Sequence, residues 1–89
     1  MNTYDIFIAR LPKIDLHGYD RESARVAVND FIDEAILMHY SEVLIIHGIG
    51  EGIVKNVVHE TLSKRKDVDG YHVAMENVGC TVVMVGGNK

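Results

Sequence analysis

Much that would give a small protein an obvious biochemistry is missing from this 89-residue chain. It has a single cysteine, Cys80, so no disulfide can close within it, and a reducing cytoplasm is the expected compartment. No apolar run approaches the roughly 20 residues that span a bilayer. Met1 to Asp5 carry no basic leader ahead of a long apolar stretch, so a secretory signal is not expected. No repeat or low-complexity tract interrupts the chain, and its length allows one domain, not two. Positive charge is not in excess either: nine Lys and Arg stand against 13 Asp and Glu, a net charge of −4. Domains that hold phosphates usually show the opposite balance, so a basic site here must come from local placement. Two familiar motifs also fail. His59-Glu60 lacks the second histidine of the zinc-protease helix, and His47-Gly48-Ile49-Gly50-Glu51-Gly52 has neither the dinucleotide fingerprint nor the P-loop's Gly-Lys-Ser/Thr ending.

What is present is regular patterning. Tyr4 to Ala9 reads as a short strand or arm, interrupted at Pro12, with residues 1–12 outside the domain proper. Lys13 to His17 alternates as a strand should, with Ile14 and Leu16 on one face and Asp15 and His17 on the other. Gly18 breaks it, and Asp20 suits the N-cap of a helix reaching about Tyr40. Ala24, Val28, Phe31, Ala35 and Met38 supply that helix's apolar stripe, widened by Ala27, Ile32 and Ile36. Val43 to Ile46 is a continuous apolar run typical of a parallel strand covered on both faces. A second helix follows the glycine-rich stretch, burying Ile53, Val54, Val57, Val58, Thr61 and Leu62 and ending in Lys64-Arg65-Lys66, expected to be solvated. Tyr71 to Glu76 forms a third strand, Asn77-Val78-Gly79 a tight connection, and Cys80 to Val85 a fourth, central strand. Residues 87–89 should form a flexible tail. The order is βαβαββ, an α/β two-layer sandwich on a mixed sheet.

This order brings chemistry together. Asp15 and His17 share a strand face, and His47 ends the next parallel strand. Ligands of open α/β sheets bind beyond the carboxyl ends of parallel strands, where helix N-termini favour an anion. A phosphate is the natural guest. Imidazoles exchange protons near neutral pH, and a carboxylate on one ring nitrogen fixes the tautomer and raises basicity. Taken alone, an Asp-x-His on a strand is most often structural, and the joint placement of the three groups is the stronger signal.

Ile14-Asp15-Leu16-His17-Gly18 resembles the Leu-Asp-Leu-His-Gly signature of Smr (small MutS-related) domains. His47-Gly48-Ile49-Gly50-Glu51-Gly52 resembles that family's His/Thr-Gly-Lys-Gly loop, and Gly79-Cys80-Thr81-Val82-Val83 its terminal strand. The likeness runs from about Ile14 to Val85 within a domain of residues 13–86. It is nearest to the C-terminal domain of the second family of bacterial MutS proteins, here expected to stand alone without the ATPase. The resemblance implies a fold like the C-terminal domain of a bacterial translation initiation factor. It also implies endonuclease activity: DNA nicking in some members, and in others RNA cleavage, including messenger RNA on stalled ribosomes. Asp15, His17 and the neighbouring His47 would be catalytic, and Gly48 and Gly50 would form the substrate loop.

The chain departs from the family at Ile49, where a Lys or Arg is usual, and Glu51 adds a negative charge to the loop. Compensating cations are sought at Arg21 and Arg25, four residues apart in the first turns of the first helix, and at Lys55. With Gly18, Gly48, Ile49, Gly50 and Gly52 they make the expected nucleic-acid-binding set, RNA or DNA being the partner and ribosome or repair proteins further candidates. A cofactor is not expected. A divalent ion on Asp15, His17, Asp20 and His47 is the weaker alternative, since no metal-ligand spacing is evident.

Overall fold

The computed structural model describes residues 9–50, 52–75 and 77–86. The expectations for most of the N-terminal arm, for Glu51, for Glu76 and for the tail at 87–89 lie outside the described residues. The elements are β1 (Lys13–Asp15), α1 (Arg21–Leu37), β2 (Glu42–Ile46), α2 (Ile53–Ser63), β3 (Val68–Ala74) and β4 (Asn77–Val85), the expected βαβαββ order. The sheet runs β1-β2-β4-β3, with β1 parallel to β2 and β4 antiparallel to both of its neighbours. As its apolar composition requires, β4 lies inside the sheet.

Both helices pack on one face. Val28, Ile32 and Ala35 of α1 and Val58 and Leu62 of α2 meet Leu16, Val43, Ile45, Val83 and Val85 in one core cluster. Each large aliphatic side chain buried there contributes roughly 1.5–3 kcal/mol. The opposite sheet face carries a smaller cluster of Leu44, Ala74, Cys80 and Val82, with Leu11 against it. Leu44 is thus covered although no helix lies on that side, in keeping with an uninterrupted apolar run in β2.

Several element ends differ from the sequence expectation, each for a local reason. Regular β1 stops at Asp15, because the Asp15 carboxylate takes the His17 N–H (3.1 Å) and Gly18, at φ +83°, turns the chain. The parallel ladder still extends one step, the Leu16 N–H donating to the Ile46 carbonyl at 2.6 Å. Helix α1 begins as expected, Asp20 accepting from the Ser23 N–H at 2.8 Å. It ends at Leu37, not near Tyr40: His39 adopts φ +62°, and the N–H groups of His39 and Tyr40 return to the carbonyls of Ile36 and Ala35. That is a Schellman closure with a histidine where glycine is usual, which the sequence does not announce. Met38 therefore leaves the apolar stripe and is exposed. Ile53, expected on the buried face of α2, is also exposed at the first turn.

The β3–β4 hairpin is tighter than anticipated. Strand β3 starts at Val68, and Asn77-Val78-Gly79 belongs to β4, since Ala74 pairs directly with Asn77. A register shift between Val73 and Ala74 absorbs the mismatch. The basic run after α2 is corrected too. Arg65 is only 17 % exposed and joins Asp67 (2.8 and 2.9 Å), Asp33 (2.6 Å) and the backbone and side-chain oxygens of Asn29. It ties the end of α2 to the middle of α1.

Candidate functional site

At the carboxyl edge of β1 the two-residue strand period turns Asp15 and His17 to the same side, away from the buried Leu16. Asp15 Oδ1 lies 2.7 Å from His17 Nδ1, and the His17 ring is 73 % exposed. A carboxylate only accepts, so Nδ1 carries the proton and Nε2 is the ring's outward-facing nitrogen. The hydrogen bond raises the His17 pKa above 6.5 and lowers that of Asp15 below 3.8. At neutral pH the ring is held in one orientation and biased toward imidazolium.

The backbone behind His17 is glycine by necessity. Gly48 has φ +86°, and a Cβ there would sit 3.0 Å from His17 Cβ. The turn is fastened by the Gly79 carbonyl, which accepts from the N–H groups of both His47 and Gly48 at 2.9 Å. His47 itself is only 4 % exposed. Its Nδ1 donates to the Gly48 carbonyl (3.1 Å), leaving Nε2 to accept from the Thr81 hydroxyl (2.8 Å). Thr81 in turn accepts from His59 Nε2 at 2.8 Å. Burial lowers the pKa of His47 and of His59, which favours the neutral form of both rings. The expectation of a second proton-exchanging imidazole at the rim thus meets a ring whose two nitrogens are both engaged.

An open cavity of about 510 Å³ lies in front of these groups. His17, Gly18, Arg21, Gly48, Ile49 and Lys55 line it, and so do His47, Gly50 and Gly52. Its two helix termini are not equivalent. Asp20 caps α1 and brings its own carboxylate, whereas α2 starts at Gly52 with no side-chain cap, and its first-turn residues Ile53, Val54 and Lys55 form one wall. The uncapped amides and positive dipole end of α2 are therefore the better anion seat. Arg21 and Lys55 add positive charge to the walls. Arg25 does not line the cavity; its guanidinium is held by Glu22 one turn back. Asp15, His17, Asp20 and His47 do not gather as a metal-ligand set among the described residues. Among those residues, too, no helix is long and apolar enough to cross a membrane.

A family model described as Smr domain matches residues 14–86. The chain belongs to the Smr domain family. Among its relatives, Endonuclease MutS2 of Streptococcus equi subsp. equi is 38 % identical over 77 residues, covering 83 % of this chain and 10 % of the relative. Endonuclease MutS2 of Staphylococcus saprophyticus is 39 % identical over 67 residues, 75 % of this chain and 9 % of that protein. The chain thus spans about a tenth of the length of these relatives. The crystal structure of the Smr domain of Thermus thermophilus MutS2 matches with a TM-score of 0.82 and 26 % identity, over 85 % of this chain and 99 % of that one. YdaL, a stand-alone small MutS-related protein from Escherichia coli, matches with a TM-score of 0.80 and 28 % identity, over 85 % and 65 % of the two chains.

Within this Smr domain, sequence reasoning missed two members of the site. Thr81 and His59 complete the hydrogen-bond set of His47 from 34 and 12 residues away along the chain, on β4 and α2. The available signal was a hydroxyl inside an otherwise apolar central strand. A buried threonine needs a partner, and histidines are the nearest polar groups the topology offers.

Proposed function

We propose that this Smr domain cleaves phosphodiester bonds of nucleic acid, with His17 exchanging the proton and Asp15 orienting its ring. One observation carries the reading: the exposed, carboxylate-oriented Nε2 of His17 borders a cavity whose wall is an uncapped helix N-terminus. A phosphate on the first-turn amides of α2, flanked by Arg21 and Lys55, would lie before that nitrogen. Attack on phosphorus by a ribose 2′-hydroxyl or a water, which gives up its proton to solvent, forms one P–O bond as the P–O bond to the leaving oxygen breaks. His17, as imidazolium, gives its Nε2 proton to that leaving oxygen. His47 contributes by holding the Gly48 carbonyl and hence the backbone on which His17 rests. The MutS2 relatives are named endonucleases, which agrees with this chemistry.

The test uses labelled single-stranded RNA and its 2′-deoxy analogue, with and without chelator, beside His17→Ala and Asp15→Ala variants. His17→Ala is expected to slow cleavage roughly 100-fold or more, the usual contribution of a positioned acid. Cleavage of RNA alone, insensitive to chelator and lost in the variants, identifies the 2′-hydroxyl as nucleophile. Cleavage of both strands that stops with chelator would assign metal-assisted hydrolysis instead. A second reading, a module that binds nucleic acid beside ribosome or repair proteins without cutting it, is favoured by Ile49. This apolar residue stands 80 % exposed where a cation would grip phosphate. Equal residual cleavage by wild type and variants would decide for it.

A further inference from the structure

Next to the main cavity lies a smaller cleft of about 190 Å³, lined by Gly48, Ile49, Gly50, Gly52, Lys55 and Val78. All but Val78 also border the larger cavity, so the two are continuous. Its composition is unlike a phosphate seat. Two aliphatic side chains, Ile49 at 80 % and Val78 at 59 % exposure, stand out into solvent. Three glycines contribute bare backbone between them, and a Cβ at Gly50 or Gly52 would meet nothing within 4 Å. The Ile49 side chain stands beside the start of β4, its Cγ1 lying 3.3 Å from where a Cβ on Gly79 would be.

Resting on the nucleic-acid reading of the main cavity, we infer that this cleft receives the base of an unpaired nucleotide, the neighbour of the one cleaved. The bare peptide groups of three glycines beside two aliphatic side chains suit a planar ring, which has an apolar face to bury. Lys55 borders both spaces, so its ammonium is set to meet the phosphate joining the two nucleotides. Paired bases turn their faces to their stacking neighbours and offer only edges in the grooves. The cleft therefore selects single-stranded or unstacked substrate, and Ile49 is its specificity-determining residue. An isoleucine at the loop tip exchanges a phosphate contact, common to every strand, for a base contact made only by an open one.

Anisotropy titrations of a short fluorescein-labelled single strand, an abasic strand of equal length and the corresponding duplex test this, with wild type, Ile49→Ala and Arg21→Ala. Ile49→Ala is expected to weaken binding of the base-bearing strand roughly three- to tenfold, with less than about a twofold effect on the abasic strand and the duplex. Arg21→Ala should weaken all three alike. If Ile49→Ala affects the three ligands equally, or none, while Arg21→Ala weakens them, the base cleft falls and the phosphate cavity stands. If wild type binds none of them, the nucleic-acid reading falls with it. Sedimentation of both proteins covers the remaining occupant: an oligomer lost on Ile49→Ala with strand affinity intact would assign the cleft to a second copy of the chain.

Discussion

The Thr81 hydroxyl has one proton and serves two imidazoles, which makes it the most constrained polar group behind the site. Replacing it by the isosteric valine leaves Nε2 of His47 and of His59 buried without their partner. Thr81→Val should cost about 1–3 kcal/mol of unfolding free energy in urea denaturation and release the His47 tautomer, read from its imidazole ¹⁵N shifts. Thr81→Ser should restore both. A Val variant with wild-type stability and tautomer would show that the hydroxyl holds nothing. The contrast with Asp15 and His17 explains what was legible at this scale. Those two are neighbours by strand period alone, so spacing reveals them. The Thr81 contacts arise only once β4 enters the sheet between β2 and β3, and no local pattern encodes that.

Among the elements, the two helices are joined by more than apolar packing. Arg65, just beyond α2, fills its guanidinium with Asp67, Asp33 and Asn29, the last two lying one turn apart on α1. Arg65→Ala should destabilise the fold by about 2 kcal/mol, and Arg65→Lys should recover only part, since an ammonium cannot bind Asp67 with two parallel bonds. The acid dependence follows from Asp67, whose carboxyl is held below 3.8 by that guanidinium. Its folded pKa is depressed, so the stabilisation is complete above the ordinary carboxylate range and is lost as pH falls through the folded value. Urea midpoints of wild type and Arg65→Ala should therefore converge in acid, and a constant gap would remove Asp67 from the account. The sequence presents Lys64-Arg65-Lys66 as an ordinary basic helix end because two of the acceptors, Asn29 and Asp33, lie more than 30 residues upstream, and Asp67 nearby reads as an ordinary surface acid. Element order and the core faces were legible, being set by local periodicity and the short β3–β4 link. Element ends were not. His39 in a left-handed conformation and the direct Ala74–Asn77 pairing are tertiary outcomes that override the residue preferences expected there.

For the whole molecule, the net charge of −4 and a phosphate-directed site are reconciled by distribution. The cavity has Arg21, Lys55 and the open end of α2 on its walls, beside the Asp20 carboxylate that the Ser23 amide holds as the cap of α1. The parallel β1–β2 pair and its α1 crossover deliver Asp15-His17 and the Gly48 loop to one edge, and the start of α2 faces them across the cavity. The most direct test of that convergence is the pH dependence of single-turnover strand cleavage by the wild-type domain and by Asp15→Asn. With His17 as the acid, the wild-type rate holds on the acidic side and falls as pH rises through a His17 pKa above 6.5, and Asp15→Asn moves that fall to lower pH. A wild-type rate that instead rises through the same range, or a profile that Asp15→Asn leaves where it was, would contradict it.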